Sequence, residues 1–350
     1  MKILVTGHDG YIGTLLTPFM QAAGHEVVGL DIGLFKDCAY GEVPFVETLD
    51  VADVRDIRAE HLEGFDAVIH LAAISNDPVG DLNADVTYAI NHRGSVSLAT
   101  EAKKAGVPRF VLSSSCSSYG AADGDVALDE QADFNPVTPY GESKVLAERD
   151  IRPLADESFT PVFLRNATAY GLSPRLRGDL VVHSLLATAH TIGEVRMESD
   201  GRSWRPFCHI EDISRACLAA LEAPREAVHN EAFNIGRDED NLQIRVVALM
   251  VQATVPGSTV TFADGASPDK RSYRVSFAKV AAQLPGFDPQ WTVQKGIDEV
   301  YAAYKARGLT LDDFRSSRFQ RIKRVLELKD AGLLDNDLRW LASVPAGAQS

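Results

Sequence analysis

The sequence predicts an α/β protein: a doubly wound parallel sheet followed by a smaller C-terminal lobe. Three observations predict it. Short apolar runs alternate with segments of helical length through the first half, the runs are apolar at nearly every position, and the alternation loosens after about residue 170. The runs are Lys2–Thr6, Glu26–Leu30 and residues 44–48, 67–71, 110–114 and 162–165; residues 11–23, 87–105 and 139–155 are among the helical segments between them. Strands separated by helices require right-handed crossovers, which make the strands parallel and cover both faces of the sheet. Doubly covered strands read as continuous apolar runs.

The remaining elements follow in order. Gly171-Leu172-Ser173-Pro174-Arg175 is a breaker-rich loop, and residues 195–197, Ala232–Ile235 and residues 260–262 read as short strands of a substrate-binding lobe. Residues 311–341 read as helical and mixed in charge, with Arg315, Arg318, Arg321, Lys323 and Arg324 among acids. The expectation is a solvated helix packed on the lobe, or an oligomer contact. Residues 343–350 are expected to fray. The domains expected are 1–170 for a dinucleotide, with later segments returning to it, 171–310 for substrate, and 311–350 as an extension.

Bulk properties exclude several classes of function. The 350 residues are 45% hydrophobic, enough for a large core, and 35 basic against 49 acidic residues give a net charge of −14. Such a charge argues against nucleic acid or an anionic membrane as partner. Four dispersed cysteines (Cys38, Cys116, Cys208, Cys217) without a CxxC pair argue against a disulfide framework or structural zinc. With no signal peptide and no apolar run of about 18 residues, a soluble cytoplasmic protein is expected.

Two motifs carry the chemistry. Gly7-His8-Asp9-Gly10-Tyr11-Ile12-Gly13 joins the first strand to a helix. In such a turn one glycine permits the bend, one lets backbone approach phosphate, and one lets helix and strand pack, which gives the Rossmann-type dinucleotide site. Asp31 follows the second strand, eighteen residues beyond Gly13, where an acid accepts hydrogen bonds from ribose hydroxyls. Its carboxylate would repel a 2′-phosphate and no Arg follows it, so NAD is expected over NADP. Tyr140-Gly141-Glu142-Ser143-Lys144 is the second motif. Four residues apart, Tyr140 and Lys144 share a helical face. A free phenol titrates near 10, and a neighbouring ammonium stabilises its anion, making Tyr140 a usable acid and base for hydride transfer.

With Leu49-Asp50-Val51, His70-Leu71-Ala72-Ala73 and Ser113-Ser114-Ser115 before Tyr119-Gly120, these motifs stand in one order. In that order the chain resembles the extended short-chain dehydrogenase/reductases, in the branch of nucleotide-sugar epimerases and dehydratases, over residues 1 to about 305. The resemblance implies that Gly7, Asp9, Gly10, Tyr11, Ile12 and Gly13 surround the pyrophosphate of NAD and that Asp31 meets its ribose. It implies that Asp50 and Val51 meet adenine, and that Leu71, Ala72, Ala73 and Ser113 line the cofactor. Tyr140 would be the acid/base, Lys144 would also hold the nicotinamide ribose, and Ser115 would bond the reacting oxygen, with Ser113 and Ser114 as alternatives in the run of three serines. Cys116 is either a proton-transfer group, as a cysteine is in 3,5-epimerases of the branch, or a buried inert thiol. Asn91 would bond core backbone.

The substrate implied is a nucleotide-diphosphate sugar, with Asn76, Thr168, Asp179, Arg205 and Arg271 bordering it. Thr168 and Asp179 stand where the family usually carries asparagines, and a carboxylate at 179 would repel phosphate. His183 is a second acid/base or a plain helix histidine; His209 and Asp212 would fix a helix start, Asp212 as its cap. Related dehydratases carry Asp-Glu after the serine, where this chain has Cys116-Ser117-Ser118. The expected activity is therefore an NAD-dependent nucleotide-sugar 4-epimerase with a 4-keto intermediate. The alternatives are a nucleotide-sugar dehydrogenase or ketoreductase, then a dehydratase or decarboxylase, then a non-catalytic dinucleotide sensor. The resemblance also implies a homodimer formed through residues 87–105 and 139–155.

Overall fold

The computed structural model describes residues 1–75, 77–122, 126–267 and 271–341. Seven parallel strands form its main sheet: β1 (Lys2–Thr6), β2 (Glu26–Leu30), β3 (Glu47–Thr48), β4 (Ala67–His70), β5 (Arg109–Ser115), β6 (Thr160–Asn166) and β10 (Ala232–Ile235). Their order is β10-β6-β5-β4-β1-β2-β3, so the chain reverses direction between β1 and β4 and opens a crevice at their carboxyl ends. The sheet core is dry: Ile3, Leu4, Val68, Ile69, Phe110, Val111 and Val162 have no exposed surface. Residues 44–48 shrink to a two-residue strand, because Phe45 is 89% exposed at an edge with nothing packed over it. Ala232–Ile235, expected in the lobe, instead closes the far edge of the main sheet, pairing Phe233 with Leu164.

Helices α1 (Gly13–Ala22), α2 (Ser95–Lys104) and α3 (Pro139–Ile151) cover the sheet. A π-helical stretch, Tyr88–Gly94, leads into α2, and Asn91 within it is held to the backbone of Ile74 on both sides of its amide, as the resemblance implied. Thr138 caps α3 by accepting from the Gly141 N–H, and Pro139 follows at the first turn.

The second half builds the lobe from β7 (Thr168–Tyr170), β9 (Trp204–His209) and β11 (Asn241–Gln243) in one small sheet, and β8 (Glu194–Ser199) with β12 (Thr259–Ser267) in another. Helices α4 (Val181–Ile192), α6 (Ile244–Thr254) and α7 (Val293–Arg307) pack on or between these, while α5 (Ile210–Glu222) lies beside α1 on the main sheet, its Ile213, Ala216 and Ala220 buried with Ile3 and Val5. His209, not Asp212, caps α5, accepting from the Glu211 N–H; Asp212 faces inward and accepts from the N–H groups of Gln290 and Trp291.

The extension corrects its expectation. It forms two short helices, α8 (Leu311–Arg315) and α9 (Arg321–Asp330), then a turn closed between Leu334 and Trp340. Its first part does pack on the lobe, with Phe314 of α8 and Phe319 buried among residues of α4 and α7, whereas α9 and the turn after it pack on the dinucleotide half. Val325, Leu328, Leu334 and Leu338 bury with Leu34, Val79 and Val86. Trp340 donates to the Ile32 carbonyl at 2.6 Å, and Arg339 reaches Asp56 at 2.6 Å. Among the described residues, no helix is long and apolar enough to cross a membrane.

Candidate active site

The glycine turn is built as its spacing predicts. Gly7 has φ +76°, and a Cβ there would lie 2.7 Å from the Ala72 nitrogen, so turn and β4 loop touch backbone to backbone. A Cβ on Gly13 would lie 2.2 Å from the Gly7 carbonyl oxygen. Gly10, by contrast, meets only the Gly7 oxygen, at 3.1 Å, and is otherwise open. No side chain caps the N-terminus of α1, whose Thr14 and Leu15 N–H groups turn back onto the Gly10 and Ile12 carbonyls, and the positive end of the helix favours an anion there. The half-buried Asp31 carboxylate accepts from the Gly33 N–H at 2.8 Å, and desolvation raises its pKa. Leu71 and Ala72 run alongside, donating to the backbone oxygen and hydroxyl of Thr6, with Ala73 next in the loop. Asp50 is exposed and Val51 half-buried beyond β3. Open glycine, uncapped helix and ribose-side carboxylate together fit a dinucleotide.

The end of β5 lies beside α3. Ser113 and Ser115 share one face of the strand, and Ser114 points the other way. Lys144 is buried and donates from Nζ to the Ser113 carbonyl at 2.7 Å, with Nζ 5.9 Å from the centre of the Tyr140 ring. Burial lowers its pKa to about 8, opposed by the Glu148 carboxylate one turn along. Glu148 in turn pairs with Arg165 at 2.9 Å and accepts from Ser114 at 2.5 Å, so its charge is anchored behind the helix. His70, below, is bonded to Thr6 and Ser95; burial and the nearby Lys144 drive its pKa down to about 3, and it stays neutral. Ser115 accepts from both the N–H and the hydroxyl of Ser117, at 3.1 and 2.8 Å, so its own proton is what it presents to an incoming oxygen.

Cys116 does not join this group. It has no exposed surface, its thiol donates to the Arg165 carbonyl at 3.0 Å, and burial pushes its pKa up. A protonated, enclosed thiol has neither the anion nor the access that proton transfer requires, which corrects its place among the catalytic residues. His183 is likewise accounted for. Its Nδ1 meets the Arg177 carbonyl at 2.7 Å and its Nε2 accepts from the Gly171 N–H at 3.3 Å, while burial lowers its pKa to about 4.

The other expected residues divide. Tyr11 donates to the Gly171 carbonyl at 2.8 Å, and Ser173 bonds both Thr14 and the Tyr11 carbonyl, locking the 171–177 loop onto the glycine turn. Asp179 pairs with Arg177 at 2.5 Å, so its charge is met, and the repulsion of phosphate expected from it does not stand alone. Arg205 is buried on β9, donates to the carbonyls of Trp204 and Arg271, and sits 5.5 Å over the Tyr273 ring; this brings Arg205 and Arg271 to one edge of the lobe. Thr168 is half-buried on β7 beside Phe207. Asn76 lies outside the described residues.

Sequence reasoning missed four side chains. Arg175 pairs with Asp9 of the glycine turn at 2.7 Å, and Arg177 also donates to the Ser75 hydroxyl at 2.9 Å; their spacing around a proline in Pro174-Arg175-Leu176-Arg177 was the available signal. Asn166, paired in register with Ser115, donates to the Ser113 hydroxyl at 2.9 Å and leaves its buried carbonyl oxygen unpartnered. Arg321 belongs to the extension, and no motif marks it.

A parallel sheet with this strand order, an open glycine turn and a Tyr–Lys pair beside a serine defines a dinucleotide-dependent enzyme of the short-chain dehydrogenase/reductase type. The chain belongs to the NAD dependent epimerase/dehydratase family, whose sequence pattern matches residues 3–236. It is 28% identical over 317 residues, 85% of this chain and 96% of the relative, to an uncharacterized UDP-glucose epimerase, YtcB, of Bacillus subtilis. It is 26% identical to the UDP-glucose 4-epimerase of the same organism, over 86% of this chain and 95% of the relative. Among solved structures it resembles TunA, an NAD-dependent NDP-hexosamine 5,6-dehydratase of tunicamycin biosynthesis, with TM-score 0.77 and 25% identity over 89% of this chain and 99% of that one. The UDP-glucose 4-epimerase of Thermotoga maritima shares the fold at TM-score 0.76 and 23% identity, over 88% of this chain and all of that one. NAD is the cofactor of the family, and the turn, Asp31 and Lys144 are the residues that would hold it.

Proposed function

We propose that this protein is a nucleotide-diphosphate-sugar 4-epimerase that keeps its NAD through the cycle. The observation that carries the reading is the neighbourhood of Ser115. Lys144, beside the Tyr140 ring and bonded to the Ser113 carbonyl two residues before Ser115, supports a Tyr–Lys–Ser set, while Cys116, Ser117 and Ser118 supply no carboxylate. Elimination of water needs an acid and a base in addition to the tyrosine; oxidation and re-reduction at one carbon does not.

In this reading Ser115 donates to the sugar O4 and fixes its position, and the Tyr140 phenolate accepts the hydroxyl proton. Lys144, protonated at neutral pH, stabilises that phenolate from below. Bound NAD supplies the acceptor and later the donor of hydride at C4. After the 4-keto sugar turns over, Tyr140 returns the proton to O4. Arg205 and Arg271, together at one lobe edge, would hold the diphosphate through the turnover, and Asn166 with Thr168 would border the sugar. A homodimer through the α2 and α3 segments completes the proposal.

Mass spectrometry and absorbance of the supernatant from denatured protein test it first. The expected result is near-stoichiometric NAD and interconversion of a C4 pair of nucleotide sugars without added cofactor. Release of no dinucleotide, with turnover that consumes added NADH or NADPH, would make the protein a reductase instead. Tyr140→Phe is expected to keep the bound NAD and lose at least a thousandfold in turnover.

A further inference from the structure

Buried arginines normally meet carboxylates, because an enclosed, uncompensated charge is costly. Arg165 meets Glu148, and Arg175 meets Asp9. Arg321, 4% exposed, meets no carboxylate among the described residues. Its Nη2 donates to the Arg175 carbonyl at 3.0 Å, its guanidinium lies 4.1 Å from the centre of the Phe35 ring, and its Nη1 is buried without any partner. Burial lowers its pKa to about 10; Arg177 and Arg175 add repulsion, the nearby Cys38 and Asp179 act the other way, and it remains protonated at neutral pH.

The surroundings say what would compensate it. Arg175, whose carbonyl Arg321 grips, is bonded through its own side chain to Asp9 inside the glycine turn. Phe35, on which Arg321 stacks, stands four residues after Asp31 in the ribose-side loop. Arg321 therefore lies between the two backbone segments that flank the dinucleotide crevice. The segment is pinned there from outside, by Arg324 to Asp37 at 2.5 Å and by Trp340 to Ile32. An unpaired guanidinium donor is matched in charge and geometry to phosphate oxygens, and the uncapped start of α1 marks the same crevice as the anion site. We propose that Arg321 is a ligand for the pyrophosphate of NAD, so that the C-terminal segment supplies part of the cofactor site from a helix that lies outside the dinucleotide fold. This rests on NAD being the cofactor and is independent of the reaction performed on the sugar.

The test is calorimetric binding of ADP-ribose and of adenosine to the full-length chain after bound dinucleotide is washed out. It compares wild type with Arg321→Gln and with Lys323→Gln, which alters the same segment at an exposed side chain bonded to the Arg315 carbonyl. Arg321→Gln is expected to weaken ADP-ribose ten- to hundredfold and adenosine less than twofold; Lys323→Gln is expected to leave both within twofold. Unchanged ADP-ribose affinity would overturn the proposal. Equal weakening of both ligands would overturn it too, by making Arg321 part of a roof over adenosine. Weakened binding of UDP with ADP-ribose unaffected would assign the guanidinium to the substrate's diphosphate and not to the cofactor. If Arg321→Gln does not fold, Arg321→Lys keeps the charge without the planar fork. A three- to tenfold loss confined to ADP-ribose is then expected, and wild-type affinity overturns the proposal.

Discussion

Lys144 shows how one residue is shaped by two opposed demands. Its ammonium has to stand beside Tyr140, yet its site is 98% enclosed, and burial lowers its pKa to about 8. An unfolded lysine titrates near 10.4, so between about pH 8 and 10.4 the unfolded chain binds more protons than the native one, and stability rises with pH across that window. Below pH 8 the burial penalty is present in full, at most about 3 kcal/mol. Lys144→Met is accordingly expected to abolish turnover while raising stability at pH 7 by about 1–3 kcal/mol, read as a higher midpoint in urea. The difference from wild type should shrink as the pH approaches 10. A variant destabilised at pH 7 would show that the bond to the Ser113 carbonyl outweighs the buried charge. Cys116→Ala is the counterpart: activity within about twofold of wild type and a stability loss of about 1 kcal/mol, because the thiol is packing. The placing of Lys144 beside Tyr140 was legible because helical spacing fixes it locally. Asn166 and Arg321 were not, because partners far along the chain decide what their side chains face.

Elements were legible in proportion to how completely they are buried. β1 and β2 begin and end where their apolar runs do, since both faces are covered; β3 shortens where Phe45 meets solvent. The position of β10 was not legible, because a four-residue apolar run reads alike in a lobe and at a sheet edge. The π-helical Tyr88–Gly94 carries no periodicity that separates it from α-helix. The contact of α7 with β7 and β9 was also invisible from spacing. Gly296 abuts the Tyr170 ring, where a Cβ would come within 2.3 Å, and His209, stacked 3.8 Å from Trp291, bonds Glu299 on the same helix. Gly296→Ala is therefore expected to push α7 off the lobe sheet and to cost about 1–3 kcal/mol through overpacking, although alanine is the better helix former. Thermal unfolding checks it, and a stabilised variant would mean that the Tyr170 ring yields without cost.

At the scale of the molecule, the C-terminal segment closes a circuit that the dinucleotide half would otherwise leave open. The chain leaves the lobe after Phe319, beyond α8, and returns across the loops that follow β2 and β4. There Leu328 and Val325 pack against Leu34, Val79 and Val86, and Arg339 spans to Asp53 and Asp56. The charges of residues 311–341 suggested a solvated helix because the pairing acids lie some 280 residues earlier, a separation that no local pattern can report. The apolar cluster beneath this segment is separate from the three clusters that hold the sheet and lobe. Its stability is therefore expected to be local. Leu328→Ala removes a buried side chain at a cost of about 2–5 kcal/mol, and that cost should fall on the segment before it falls on the sheet. Hydrogen exchange read by mass spectrometry is expected to show faster exchange over residues 321–341 and 32–37, with β1, β4 and β5 as protected as in wild type. Acceleration spread evenly over β1, β4 and β5 would show instead that segment and sheet open as one unit, and that the cofactor crevice cannot be uncovered without unfolding the sheet beneath it.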